Sequence, residues 1–162
     1  MDSSFKFKTA EIKDVVIKDI QKHIDERGWL AELYRSDEID ESIFPQMAYI
    51  SLTMPNVRRG PHEHVYQTDY FCFLGPSDFK VILWDNRKDS PTYLNKMVLF
   101  LGENRPAALI VPPGIIHAYK NVGGKNGLVM NAANKLYAGK MKKEQVDEIR
   151  HENDADTIFV FN

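Results

Sequence analysis

Short runs of Val, Ile, Tyr, Phe and Leu recur along almost the whole chain, and each is closed by Gly, Pro, Asn or Asp. This rhythm constrains the fold more than any other feature, because such runs end before an amphipathic helix could complete its face. Residues 15–18 (VVIK), 29–35 (WLAELYR), 46–54 (QMAYISLTM), 70–75 (YFCFLG), 79–85 (FKVILWD), 96–102 (KMVLFLG), 107–113, 117–122, 127–133 and 157–161 (TIFVF) read as strands. Gly75-Pro76-Ser77-Asp78 supplies turn chemistry between two of them. Residues 36–44 suggest a helical turn, and residues 138–152 (AGKMKKEQVDEIRHE) read as a short C-terminal helix. Roughly eight to ten closely spaced strands imply an all-β sandwich or barrel. Several runs are apolar on both faces, as expected for strands lying between packed layers.

The length of 162 residues fits one domain spanning 1–162 and suffices for a real core. With 21 basic and 23 acidic residues the formal charge is −2 and no polybasic run stands out, which argues against a nucleic-acid partner. Local basic clusters can still hold a phosphate-bearing small molecule. The single cysteine, Cys72, sits in an apolar run and reads as a buried, inert thiol, and one cysteine excludes an internal disulfide framework. No apolar leader and no run of 18 apolar residues is present, so no membrane partner and a cytoplasmic protein are expected.

The stretch RRGPHEHVYQTDYF, 58–71, places His62 and His64 two residues apart. On an extended strand both imidazoles point to one face, about 7 Å apart. They form either part of a metal site or include a base that takes a proton from substrate. Extended to Gly75, the pattern is H-x-H-x-x-x-x-D-x-x-x-x-x-G with Asp69, and residues 112–121 read P-x-G-x-x-H-x-x-x-N with His117. In this order the two segments resemble the paired motifs of the cupin superfamily, which implies a jelly-roll barrel (a double-stranded β-helix). One reading is then a divalent transition metal on His62, His64, Asp69 and His117.

Five segments, two of them overlapping those just described, occur in a particular order: DERGWLAELYR at 25–35, RRGPHEH at 58–64, DNRKDSPT at 85–92, PPGIIHAY at 112–119 and NDADTIFVF at 153–161. Together they resemble the dTDP-4-dehydrorhamnose 3,5-epimerase family over nearly the whole chain. The resemblance implies a metal-free, cofactor-free isomerase that moves protons beside the ketone of a dTDP-4-keto-6-deoxyhexose, serving spore or surface polysaccharide synthesis. A proton alpha to a carbonyl is weakly acidic, so such an enzyme needs a base and donors for the enolate oxygen. The resemblance assigns the base to His62, an orienting carboxylate to Asp154 and a general acid to Tyr137. It places Arg27, Glu32, Gln46, Arg59 and His117 around the nucleotide-diphosphate sugar, and it implies a homodimer that exchanges N-terminal strands. Asp85, Arg87, Ser90 and Thr92 instead read as a turn closed by side-chain hydrogen bonds.

Two departures matter. Where the family carries an enolate-stabilising lysine, this chain has Asp69, and a second tyrosine position holds Asn131. Single-centre epimerisation, a metal-dependent cupin enzyme and a non-catalytic sugar-nucleotide-binding homologue therefore stay open.

Overall fold

A computed structural model describes residues 6–162. Its larger sheet has the spatial order β1 (Lys8–Thr9), β9 (Asn95–Gly102), β8 (Asp78–Asp85), β11 (Ile115–Asn121), β6 (Arg58–Glu63) and β13 (Ile149–Arg150). The facing sheet has the order β2 (Val16–Asp19), β10 (Ala107–Val111), β7 (Asp69–Phe73), β12 (Gly127–Asn131) and β5 (Tyr49–Thr53). A separate hairpin joins β3 (His23–Asp25) to β4 (Gly28–Leu30). Every pairing is antiparallel except β1 with β9. This is the cupin-type jelly roll.

Strand alternation builds the interior. Phe79, Val81 and Leu83 of β8, Leu109 and Val111 of β10, Phe71 and Phe73 of β7 and Val129 of β12 meet in one buried cluster between the sheets. Both outer faces are covered too, which explains runs that are apolar throughout. Ile82, Trp84, Ile116 and Ala118 lie under Phe7, Phe159 and Phe161. Tyr70, Cys72, Ala108 and Ile110 lie under Ala31, Leu33, Ile39 and Ile43. Cys72 is fully buried, and burial pushes its thiol up to about 12, as an inert core thiol requires.

Several expected elements differ. The helix read at 138–152 is two 3-10 turns, Lys140–Lys142 and His151–Asn153, on either side of β13. Ala138, Met141 and Lys142 all have positive φ, so an α-helix cannot propagate through them. Of residues 29–35, only Trp29 and Leu30 pair as strand, while Ala31 and Leu33 turn onto the outer face of the five-stranded sheet. No strand forms over 157–161, where Phe159 packs against Trp84 instead. The turn expected at 36–44 is present as the 3-10 turn Glu41–Ile43, capped by Asp40, which accepts the Ser42 N–H at 2.9 Å.

Candidate active site

The site begins with a defect in pairing. His117 is the cross-strand partner of His62, and Tyr119 is the partner of Arg59, so Ala118 alone faces both Gly60 and Pro61. Without this bulge Arg59 and His62, three residues apart, would point to opposite faces. With it, both turn to the side of the sheet that carries His117 and Tyr119, His62 half-buried and Arg59 exposed. Gly60 is required at the bulge. Its φ is +80°, and a Cβ there would lie 2.6 Å from the His117 carbonyl oxygen.

Two clamps bring the C-terminal segment under the same mouth. The Asp147 carboxylate accepts the backbone N–H groups of Val65, Tyr66 and Gln67 at 2.8, 2.9 and 2.9 Å. On the other side, His151 Nε2 lies 2.8 Å from Glu63 Oε1, which also accepts from Asn86 at 3.0 Å. Between the clamps, Arg150 pairs with His62 across β13 and β6, and Glu148 Oε1 comes to 4.0 Å from His62 Nε2. Arg150 Nε donates to the other oxygen of Glu148 at 2.7 Å.

His62, His64, Asp69 and His117 converge. The rings of His62 and His117 are 4.4 Å apart between centroids. Asp69 Oδ2 lies 3.3 Å from His64 Nε2 and 3.4 Å from His117 Nε2. One ligating nitrogen from each of the three histidines falls within 4.8 Å of the others. Asp69 is held by its other oxygen, which accepts from Gln67 Nε2 at 2.8 Å and Asn131 Nδ2 at 2.7 Å. Asn131 also donates to the Tyr49 hydroxyl at 3.0 Å. The donor set of imidazole nitrogens and a carboxylate suits a transition-metal ion.

Two cavities open on this cluster. One, of about 390 Å³, is lined by Tyr49, Arg58, Arg59, His62, Glu148 and Arg150, with Phe71 and Tyr119 among the residues that complete its wall. The other, about 250 Å³, joins His62 and His64 to Tyr49, Tyr137 and Glu148. Burial, reinforced by the neighbouring histidines and Arg150, pushes His62 down to about 2, and burial also lowers His117. Both imidazoles are therefore neutral at physiological pH, the form that accepts a proton or binds a metal. Burial pushes the Tyr49 hydroxyl up to about 12, so it stays protonated.

The sequence-derived assignments meet this geometry unevenly. Tyr137, 54% exposed, stands at the rim of the cavity it shares with His62. Arg59 reaches the larger cavity and is steadied by Thr53 Oγ1 at 3.0 Å and the Leu52 carbonyl at 2.9 Å. Among the described residues no hydrogen bond or ion pair joins Asp154 to His62. Asp154 is exposed, and its carboxylate accepts the Asp156 N–H at 3.0 Å. The 3-10 turn at 151–153 ends before Asp154, and β13 delivers Glu148 to the histidine in its place. Arg27 lies on the exposed β3–β4 hairpin, paired with Asp25, and Glu32 and Gln46 line other pockets that do not include His62. Sequence reasoning missed Tyr49, Glu148 and Arg150. Only the alternation of QMAYISL signals that Tyr49 points inward, and nothing local marks the other two.

Comparison with known proteins gives four agreeing results. A family model described as dTDP-4-dehydrorhamnose 3,5-epimerase matches residues 9–154. The probable low-salt glycan biosynthesis epimerase Agl13 of Haloferax volcanii is 36% identical over 128 residues, 78% of this chain and 81% of that protein. The spore coat polysaccharide biosynthesis protein SpsL of Bacillus subtilis is 37% identical over 112 residues, 69% of this chain and 73% of its own. A dTDP sugar isomerase from Desulfovibrio desulfuricans has the same fold, with a TM-score of 0.78 at 22% identity over 89% of this chain and 87% of that one.

Proposed function

This chain belongs to the dTDP-4-dehydrorhamnose 3,5-epimerase family, and we propose that it epimerises a dTDP-4-keto-6-deoxyhexose for glycan or polysaccharide synthesis. The observation that carries this reading is the larger cavity, where a neutral imidazole, His62, faces a pocket edged by Arg58, Arg59 and Arg150. Planar guanidinium groups suit a diphosphate, and the cavity suits the sugar beside it. His62 removes a proton from a carbon next to the ketone. Glu148, 4.0 Å away, favours the imidazolium that forms, in the way a carboxylate steadies the histidine of a hydrolase triad. Tyr137 returns a proton from the opposite rim, and the protonated Tyr49 is a second donor facing the same space.

The functional unit is a homodimer. Ile24, Trp29 and Leu30 stand exposed on the β3–β4 hairpin, and Ile50 and Leu52 are exposed on β5, an edge strand of its sheet. A second copy covers such surfaces and brings Arg27 to the neighbouring mouth. A nucleotide-activated substrate and a single buried thiol suit a cytoplasmic enzyme, and no helix among the described residues is long and apolar enough to cross a membrane.

The test is deuterium wash-in from heavy water into dTDP-4-keto-6-deoxyglucose and related nucleotide keto sugars, followed by NMR. Incorporation at C3, C5 or both is expected, and incorporation at one carbon identifies a single-centre enzyme. Nucleotide binding without incorporation into any of these sugars would make the chain a binding protein.

A further inference from the structure

Three side chains form a row across neighbouring strands of the five-stranded sheet. Asn131 on β12 is the register partner of Tyr49 on β5 and of Phe71 on β7. Asp69 lies two residues before Phe71, so Asp69, Asn131 and Tyr49 share the inner face. The amide in the middle has one orientation. Asn131 Oδ1 accepts the Tyr70 N–H at 3.0 Å, so Nδ2 faces the other way and donates to Asp69 Oδ1 at 2.7 Å and to the Tyr49 hydroxyl oxygen at 3.0 Å. An amide nitrogen only donates, so the Tyr49 oxygen is the acceptor in that contact. Its own hydrogen therefore points elsewhere, and no hydrogen bond among the described residues takes it up. Tyr49 lines both cavities together with His62. Its O–H is a donor left for whatever fills the space that His62 faces.

Position 69 indicates what that donor serves. Where the related enzymes carry an enolate-stabilising lysine, this chain has Asp69, and a carboxylate has no hydrogen to offer an oxyanion. Its Oδ1 is instead tied to Gln67 and Asn131. When His62 takes the proton, the C–H electron pair becomes a new C=C bond and the carbonyl π pair moves onto the ketone oxygen. That oxygen then needs a donor. We propose that the Tyr49 O–H is the hydrogen-bond donor to this oxygen, with Asn131 and Asp69 as the residues that position it. Burial pushes the hydroxyl up to about 12, so Tyr49 keeps its proton throughout, and the proton delivered to carbon comes from Tyr137. The assignment rests on the epimerase reading and names the group that takes over from the lysine.

The experiment follows deuterium wash-in and epimer formation by the full-length protein on dTDP-4-keto-6-deoxyglucose and the related keto sugars, with dTDP affinity measured alongside. Tyr49→Phe keeps the ring and removes the O–H. Tyr49 is 45% exposed, so water can replace the lost donor, and the expected loss is that of one neutral hydrogen bond, about threefold to tenfold. Wash-in and epimer formation should fall by the same factor, because a donor to the enolate acts as the proton leaves carbon, while dTDP affinity stays within about twofold. Asn131→Asp retains an acceptor for the Tyr70 N–H and turns the donor to Tyr49 into an acceptor, which draws the hydroxyl hydrogen out of the cavity. It should cost the same factor, and the double variant no more than either change alone. Undiminished wash-in by Tyr49→Phe, a fall in epimer formation alone, or an equal fall in dTDP affinity overturns the assignment to Tyr49. Additive losses in the double variant overturn the positioning role of Asn131. If Asn131→Asp does not fold, the matched or unmatched fall in Tyr49→Phe still decides. Absence of exchange in the wild-type protein overturns the epimerase reading and this assignment together, whereas wild-type exchange that Tyr49→Phe leaves unchanged overturns this assignment only.

Discussion

The two ends of one barrel treat buried polarity in opposite ways. At the closed end, Phe73, Phe79, Leu101 and Val129 fill the space, and the buried polar side chain Asn121 is fully engaged. Its amide donates to the carbonyls of Thr53 and Lys125, and its oxygen accepts from Ser77 and Gly123. At the mouth, the strands carry His62, Asp69, His117 and Asn131, and there His117 Nε2 has no hydrogen-bond partner among the described residues. β7 shows the change within five residues, from Asp69 to Phe73. A polar group that serves the fold is closed on its neighbours. One that serves chemistry is held by one side only.

The sharpest way to break this contrast is at His62. His62→Ala should lower deuterium wash-in by about 10²- to 10⁴-fold while leaving nucleotide affinity within a few fold. An equal loss of affinity would make the residue structural. At the closed end, Phe73→Ala should cost about 3–5 kcal/mol, seen as a large drop in Tm, with exchange per folded molecule unchanged. A small drop would mean that this end is loosely packed. Tyr137→Phe should slow epimer formation about 10- to 100-fold and Tyr49→Phe less. The opposite order would transfer the acid to Tyr49.

A smaller effect tests polarity that builds the mouth without working in it. Asp85 is fully buried. Burial alone would raise its carboxyl, but hydrogen bonds from Arg87, Thr92 and Ser90 outweigh this and hold it down to about 2. A carboxyl lowered by folding binds fewer protons in the native state than in the unfolded chain. Its stabilisation is thus complete above about pH 3.8 and lost as the pH falls towards 2. Asp85→Asn should destabilise the protein by about 1–3 kcal/mol at neutral pH and flatten its acid-unfolding curve in that window, with exchange unchanged. The smallest effect belongs to Asp154→Asn. Exchange within twofold of wild type is expected, and a hundredfold loss would return the orienting role to Asp154.

Much of this was readable along the chain. The strand pattern, the placing of His62 and His64 towards one cavity and the hydrogen-bonded turn from Asp85 to Thr92 all follow from local periodicity or spacing. Glu148 was not readable. It sits in a segment with helical composition, and only the pairing of Ile149 and Arg150 with Glu63 and His62 makes that segment a strand. The same limit hid the placement of Asp154, because its spacing from His62 in sequence carries no information about a contact closed through a long loop.

By itself, then, the amino-acid order determined the all-β class and a histidine-rich inner face, since side-chain alternation and turn residues act over a few positions. The tertiary structure alone decided which carboxylate accompanies each imidazole: Glu148 beside His62, Asp69 between His64 and His117. Those distances are set where strands remote in sequence are packed into one barrel, and no local rule reaches that far.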